Sequence, residues 1–416
     1  MLHLPAYREP ELIPTIEDAL AQAKYPKRIH FGICRQFHPD DKFDNVDKYR
    51  NDSRFKIYDM PCEESKGLAY ARSIINEQLL ENEDFVLQLD SHHRFTKHWD
   101  KTLIKWYDNL KKEGNNPLIC GYQPYYNPFN DPEDRVHEPW FSEAACFYPH
   151  GTIFIRPTGF KDDWTKFTKP VPARFLSGHF CFGPNKWAKE IKHDPDLYFA
   201  GEEINLTVRS YTHGYDLFHP PKVVVWHATM REERDGMLVW DDQHKRGDNM
   251  WWRQQDIGRA RIRQLIGVED NGYDLGEYGL GSVRTIRDYE IYAGIHFKKK
   301  AFQKHTKDNK FPPNPIIEDE QEWEDSFMYS FYHLVDIHPH HLPKKDYNFI
   351  LVAYDDEKGE GIEIEYIEGN QLKNFLENGT PIHYEKMFLT DKTPSRVVYW
   401  GHSESRGWVE RFEDKL

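Results

Sequence analysis

Cysteine is scarce in this 416-residue chain. The five present, Cys34, Cys62, Cys120, Cys146 and Cys181, are odd in number, scattered, and absent after position 181. No Cys-x-x-Cys occurs, so the sequence carries neither a disulfide framework nor a cysteine zinc site, and free thiols in a reducing compartment are expected. Positive charge is also short. Lys and Arg number 55 against 69 Asp and Glu, a formal net charge of −14. That excludes nucleic acid as the main partner, which would need a basic footprint. No run of 18 apolar residues occurs, so no transmembrane helix is expected. The first 14 residues lack the basic and then apolar regions of a secretory leader. Together these absences predict a cytoplasmic protein. There is no internal repeat and no low-complexity segment.

What is present is enough chain for two or three domains and at least one sizeable core. Aromatics reach 15% of residues. They serve first as core, and secondarily as flat surfaces on which a sugar can stack. The most informative stretch is Phe85–Val86–Leu87–Gln88–Leu89–Asp90–Ser91–His92. It reads as a strand buried on both faces that stops at a carboxylate and an imidazole. Ligands of open α/β sheets bind just past such carboxyl ends. One hard oxygen and one borderline nitrogen suit Mn²⁺ or Zn²⁺ better than Ca²⁺.

The surrounding pattern is α/β. Residues 1–26, with four prolines, read as an N-terminal extension holding a short helix over 15–24. Strands are expected at 28–34 and 55–60, then a helix from Ser65 to about Leu80, then the strand ending at Asp90. A further helix is expected over 95–112, with Trp99, Leu103, Trp106 and Leu110 on one face. Residues 123–143 read as a long loop, 199–213 as a helix opened by Gly201–Glu202–Glu203, and 215–225 as a strand ending at Trp226–His227. The prolines and acids within 299–344 mark a linker. Short alternating strands follow over 345–416, a smaller C-terminal β-rich module.

Several residues converge on one chemistry. Asp90 and His92 are candidate metal ligands, and His227 is a third. Glu202 and Glu203 place two carboxylates at a helix start, where acids also complement the helix dipole. Lys66 and Arg72 lie on the first long helix, within reach of a diphosphate. A divalent metal with cationic help is what a nucleotide-diphosphate leaving group needs as its bond breaks. His338–Pro339–His340–His341 also invites a metal reading, against which a solvated loop is the plainer expectation.

Five separated motifs then support a resemblance. They are Ile33–Cys34–Arg35–Gln36; Lys66–Gly67–Leu68–Ala69–Tyr70–Ala71–Arg72; Leu87 through Phe95 with Trp99–Asp100; Phe199–Ala200–Gly201–Glu202–Glu203; and Trp226–His227 with Tyr278–Gly279–Leu280–Gly281–Ser282. In this order they resemble the soluble GlcNAc-transferases of GT-A fold, enzymes that modify hydroxyproline of a ubiquitin-ligase subunit, and their bacterial relatives. The resemblance covers residues 27–298. It implies a Rossmann-like nucleotide-diphospho-sugar transferase domain, UDP-GlcNAc as donor, Mn²⁺ or Mg²⁺ as cofactor, and retention at the anomeric carbon. It implies Asp90, His92 and His227 as the metal set. Cys34, Arg35, Lys66, Arg72, Asp90, Ser91, Ser177 and Gly178 are implied donor contacts, with Glu202 and Glu203 beside donor and acceptor. The acceptor would be a protein or glycan hydroxyl, and a homo-oligomer is open. Alternatives within the fold are UDP-GalNAc or UDP-glucose as donor in surface-polysaccharide synthesis. Outside transferase chemistry they are a non-catalytic sugar-nucleotide or glycan binder, which would lack the metal set or the acidic pair, and a hydrolase.

Overall fold

The structure, a computed structural model, describes residues 1–160, 163–229, 237–245, 250–342 and 346–416. It divides into two compact units. The first comprises Met1–Ala145, His150–Lys298 and His305–Ile316, and the second Cys146–Pro149, Lys299–Lys304 and Ile317–Leu416.

The first unit is built on an eight-stranded sheet. Its strands are β1 (Leu2–Tyr7), β2 (Phe31–Phe37), β3 (Phe55–Pro61), β4 (Phe85–Leu89), β6 (Pro117–Cys120), β9 (Val171–Pro172), β10 (Phe180–Pro184) and β11 (Asp216–His219), in the order β3-β2-β1-β4-β10-β6-β11-β9. The run β3-β2-β1-β4 is parallel, as is the β6–β11 pair, while β10 and β9 are antiparallel to their neighbours. Short ladders outside this sheet pair β5 (His93–Phe95) with β12 (Val225–His227), and β7 (Trp140–Phe147) with β8 (Ile153–Gly159). A short strand, β13 (Ile295–His296), comes late in the unit.

Helices cover both faces, which explains why β4 carries no charged residue and is apolar except for the buried, hydrogen-bonded Gln88. On one face α1 (Leu12–Gln22) and α3 (Trp99–Lys112) bring Leu12, Ile16, Leu103 and Leu110 against Leu4, Ile33, Leu87 and Leu89. On the other, α2 (Leu68–Ile74) brings Ala71 and Ile74 against Cys34 and Met60. Beyond it, α4 (Asn185–Glu190) and α5 (Glu202–Thr212) pack Trp187 and Leu206 on Val86 and Leu118. Each Leu, Ile, Val or Met among them contributes about 1.5–3 kcal/mol on burial. All five cysteines are free and buried. Among the described residues no helix is long and apolar enough to cross a membrane.

The α/β class matches the sequence reading, but several boundaries move. Residues 1–26 are not an extension: β1 lies between β2 and β4, near the middle of the sheet. Pro5 is tolerated there because β1 pairs with β4 only at Leu2 and His3, so the missing N–H interrupts no ladder on that side. The helix expected from residue 95 begins at Trp99, because Phe95 completes β5. The helix expected to reach Leu80 stops at Ile74 and continues as a π-turn over Ile75–Leu79. The expected linker is largely structured. It carries β14 (Ala301–Gln303) and β15 (Phe327–Ile337), the longest of the described strands.

The second unit is β-rich, as read from the sequence, but starts earlier than residue 345. One antiparallel set runs β14, β15 and β18 (Ile382–Thr390). Another runs β17 (Gly361–Ile367), β16 (Tyr347–Asp355), β19 (Arg396–Ser403) and β20 (Gly407–Lys415). Their inner residues, with Leu372 and Phe375 of helix Gly369–Asn378, form a separate core.

Trp99–Asp100 proves to be a structural motif. Trp99 Nε1 donates to Ala19 O at 2.9 Å, and the buried Asp100 carboxylate accepts from the backbone N–H groups of Lys24 (2.7 Å) and Tyr25 (2.9 Å). Asp100→Ala leaves both donors unpaired and is expected to lower unfolding stability by about 1–3 kcal/mol, read from urea midpoints.

Candidate active site

The parallel part of the sheet winds outward from β1 to β2 and β3, then returns to place β4 on β1's other side. That reversal is the switch point at which open α/β sheets leave a crevice. Here β1 and β4 separate after His3. A cleft of about 380 Å³ opens beside them, lined by Pro5, Tyr7, Glu9, Gln36, Asp90, His92, Tyr198, His227 and Trp240 among others.

Three predicted ligands meet at this cleft. Asp90 and His92 follow β4 directly. His227 arrives by the β5–β12 ladder, which sets it opposite His93. Asp90 Oδ2 lies 3.3 Å from His227 Nε2 and 3.7 Å from His92 Nε2. The three ligand atoms fall within 4.8 Å of one another. Atoms bound to a single ion by bonds of about 2.0–2.2 Å stand roughly 3–3.5 Å apart, depending on coordination geometry, so the set needs only a small contraction to hold one. One carboxylate with two imidazoles suits Mn²⁺ and its borderline neighbours.

The outer partners orient these ligands. His92 Nδ1 is 3.1 Å from Glu9 Oε2. A carboxylate only accepts, so Nδ1 carries the proton and the Nε2 lone pair is turned toward Asp90. His227 Nδ1 engages Thr229 Oγ1 at 3.2 Å, again leaving Nε2 on the Asp90 side. His93 is not the ligand: its Nδ1 meets the Asp90 backbone carbonyl at 3.1 Å. His179 stacks on His227 with centroids 4.2 Å apart, and Gln123 N donates to its Nε2. Burial holds both His93 and His179 well below 6.5, so each is neutral near pH 7.

Behind the metal set lies a buried charge network. Arg72 is wholly buried. Its Nη2 donates to Asp90 Oδ1 at 2.7 Å, and its Nε lies 3.2 Å from Glu202 Oε1. Glu202 Oε1 is also 3.1 Å from His193 Nδ1, and His193 Nε2 is 2.7 Å from Gln88 Oε1. Burial alone would raise the Asp90 and Glu202 carboxyls. It is outweighed at Asp90 by His227, Arg72 and His92, and at Glu202 by Arg72 and His193, so both remain anionic. Glu203 differs. It accepts from Gly178 N (3.0 Å) and Tyr122 Oη (3.1 Å), but burial, with Glu202 and Asp90 nearby, pushes it up to about 7.

The structure does not bring every predicted residue to the cleft. Asp90, Ser91, His92 and His227 line it. Arg72, Ser177, Gly178, Glu202 and Glu203 stand behind. Ser177 Oγ meets His179 Nδ1, and Gly178 is tied to Gln88 and Glu203. Cys34 and Arg35 are outside it. Cys34 is packed under α2, its thiol pushed up to about 12 by burial, and Arg35 is held by Asp59 at 2.7 Å and Asp44 at 3.5 Å. Lys66 is exposed and lies over the Tyr70 ring. Sequence reasoning missed Pro5, Tyr7 and Glu9 because it began the fold one strand late. The apolar alternation of Leu2 and Leu4 was the available signal.

Glu203 links this site to stability. Its folded pKa, about 7, exceeds the ordinary value, so its stabilising contribution is complete below about pH 4.5. That contribution is lost as pH rises toward 7. Glu203→Gln is expected to flatten the fall in stability between pH 5 and 8 relative to wild type, measured by urea unfolding at each pH.

The family described as Glycosyltransferase (GlcNAc) matches residues 39–299, well over half of the chain. No curated protein matches. Among solved structures, the chain is similar to GalNAc-T7 with UDP, GalNAc and Mn²⁺, at 13% identity and a TM-score of 0.44. That match covers 70% of this chain and 54% of the other, so the chain spans about half the length of that protein. It is also similar to S. aureus TarS 1–349 in complex with UDP, at 15% identity and a TM-score of 0.39, covering 64% and 71%. For S. aureus TarS itself the identity is 11% and the TM-score 0.38, over 100% and 77% of the two chains. By the extent of the family match, this chain belongs to the glycosyltransferase (GlcNAc) family.

Proposed function

We propose that the chain is a metal-dependent, retaining glycosyltransferase that moves N-acetylglucosamine from UDP-GlcNAc to a hydroxyl of a protein or glycan. The observation that carries this reading is the meeting of Asp90, His92 and His227 at the mouth of the switch-point cleft. Family membership supports the reaction class and, through its description, the sugar.

A divalent ion such as Mn²⁺, if held by these three residues, would supply positive charge to the donor diphosphate as the glycosidic bond breaks. The chain's own residues do the rest. Tyr7 and Gln36 line the part of the cleft formed by β1 and β2, the place for the nucleoside; the Gln36 amide oxygen is buried without a hydrogen-bond partner. Arg72 holds Asp90 through one oxygen, so that the other faces the two imidazoles. Glu202, locked between Arg72 and His193, is a positioning residue in this scheme rather than a nucleophile. Retention then needs no covalent enzyme intermediate. The acceptor oxygen bonds to the anomeric carbon on the face that UDP leaves, and its proton passes to the departing phosphate. Glu203, held near its titration point, is the group that can present either a proton or a charge toward the Gly178 loop near neutral pH.

Release of UDP from a panel of UDP-sugars, with Mn²⁺ and with chelator, tests the reading. Metal-dependent release from UDP-GlcNAc is expected. Release from UDP-GalNAc or UDP-glucose alone would move the donor, and no binding of any nucleotide sugar would sink the transferase reading. Glu9→Ala, which removes the partner that orients His92, is expected to weaken Mn²⁺ binding about 10–100-fold, measured calorimetrically on folded protein. His227→Ala is expected to abolish the metal-dependent part of turnover with the circular-dichroism spectrum unchanged.

A further inference from the structure

The second unit contains another convergence of one carboxylate and two imidazoles. Asp336 of β15 is directly opposite His383 of β18 in the antiparallel register. His338 follows Asp336 by two residues, the spacing that returns a side chain to the same face of an extended chain. Asp336 Oδ1 lies 2.9 Å from His383 Nδ1 and 3.0 Å from His338 Nε2. The three ligand atoms are within 4.8 Å of one another, as are those of Asp90, His92 and His227.

Two features separate this cluster from an ordinary surface ion pair. Two rings, not one, converge on a single carboxylate oxygen. That oxygen is buried, yet accepts no hydrogen bond from either ring. A cross-strand Asp–His pair that existed for its own sake would turn an N–H toward the oxygen. Nitrogens that crowd an anionic oxygen without donating to it are arranged as co-ligands are. Ligands of a tetrahedral ion with bonds near 2.0–2.2 Å stand about 3.3 Å apart, close to the separations here. Of the neighbouring histidines, His341 stacks on Phe412 at 4.3 Å, and the exposed His340 stacks beside the His338 ring at 5.3 Å.

We propose that Asp336, His338 and His383 form a second metal site, for Zn²⁺ or a similar borderline ion. Two imidazoles disfavour Mg²⁺ and Ca²⁺, which prefer all-oxygen shells. Side-chain exposures of 47%, 34% and 52% leave the fourth position to water. The ion ties the end of β15, and the turn that follows it, to the start of β18. This site is independent of the donor reading and stands or falls without it.

The test uses the full-length, metal-stripped chain. Zn²⁺ is titrated against a chromophoric chelator, and Co²⁺ by its visible absorption. Wild type is expected to bind one more Zn²⁺ than His383→Ala, and His338→Asn is expected to lose the same equivalent. His227→Ala, which affects the other cluster, should retain it. Zn²⁺ should raise the Tm of wild type by more than that of His383→Ala. Donor turnover of His383→Ala with Mn²⁺ should equal wild type. Equal Zn²⁺ stoichiometry in wild type, His383→Ala and His338→Asn would overturn the proposal, with circular dichroism confirming that each variant is folded.

Discussion

A guanidinium with no exposed surface must be neutralised by its surroundings, and around Arg72 that requirement organises the site. Its partners come from separate parts of the chain. Asp90 ends β4, and Glu202 opens α5. Losing both carboxylates would leave the buried guanidinium uncompensated. The three elements α2, β4 and α5 are therefore tied at one point, and the tie continues through His193 to Gln88, back in β4. With one Asp90 oxygen committed to Arg72, the other is the one that faces His227 and His92.

The opening in front of Asp90 comes from topology. Parallel strands added on both sides of β1 must leave a gap where the direction of winding reverses. The β1–β4 ladder stops after His3, and β1 continues as Pro5 and Tyr7 toward Glu9 at the cleft. Glu9 then reaches His92, so the first strand both shapes the cleft and orients a ligand at its mouth. Gly67, at the start of α2, shows how closely these parts fit. Its φ is +103°, and a Cβ there would stand 2.4 Å from the Tyr198 carbonyl oxygen. That carbonyl also accepts from Leu68 N.

The two metal-competent clusters are built by different means. In the first unit the ligands hang on the ends of β4 and β12, with the buried Glu9 and Arg72 holding the outer His92 nitrogen and the Asp90 carboxylate, and Thr229 meeting the outer His227 nitrogen. In the second, antiparallel register alone sets Asp336 against His383, and the following turn adds His338. The first is suited to an ion that must be aimed at a substrate. The second is suited to holding two strands together.

Much of this was legible in the linear chain, for a local reason. The apolar run of β4, the stop at Asp90, the two-residue step to His92 and the acidic start of α5 are fixed by covalent spacing and by the periods of strand and helix. The separate motifs named the family for the same reason. Long-range pairing lay outside local pattern. His227 stands 137 residues from Asp90, and only the β5–β12 ladder brings them together. The central place of β1, Glu9 behind His92, the removal of Cys34 and Arg35 from the cleft, and Asp336 beside His383 all follow from which strands became neighbours. A sequence sets which face each residue takes within its own strand. The order and register of strands are settled by packing the whole sheet, and that decided which of those faces met.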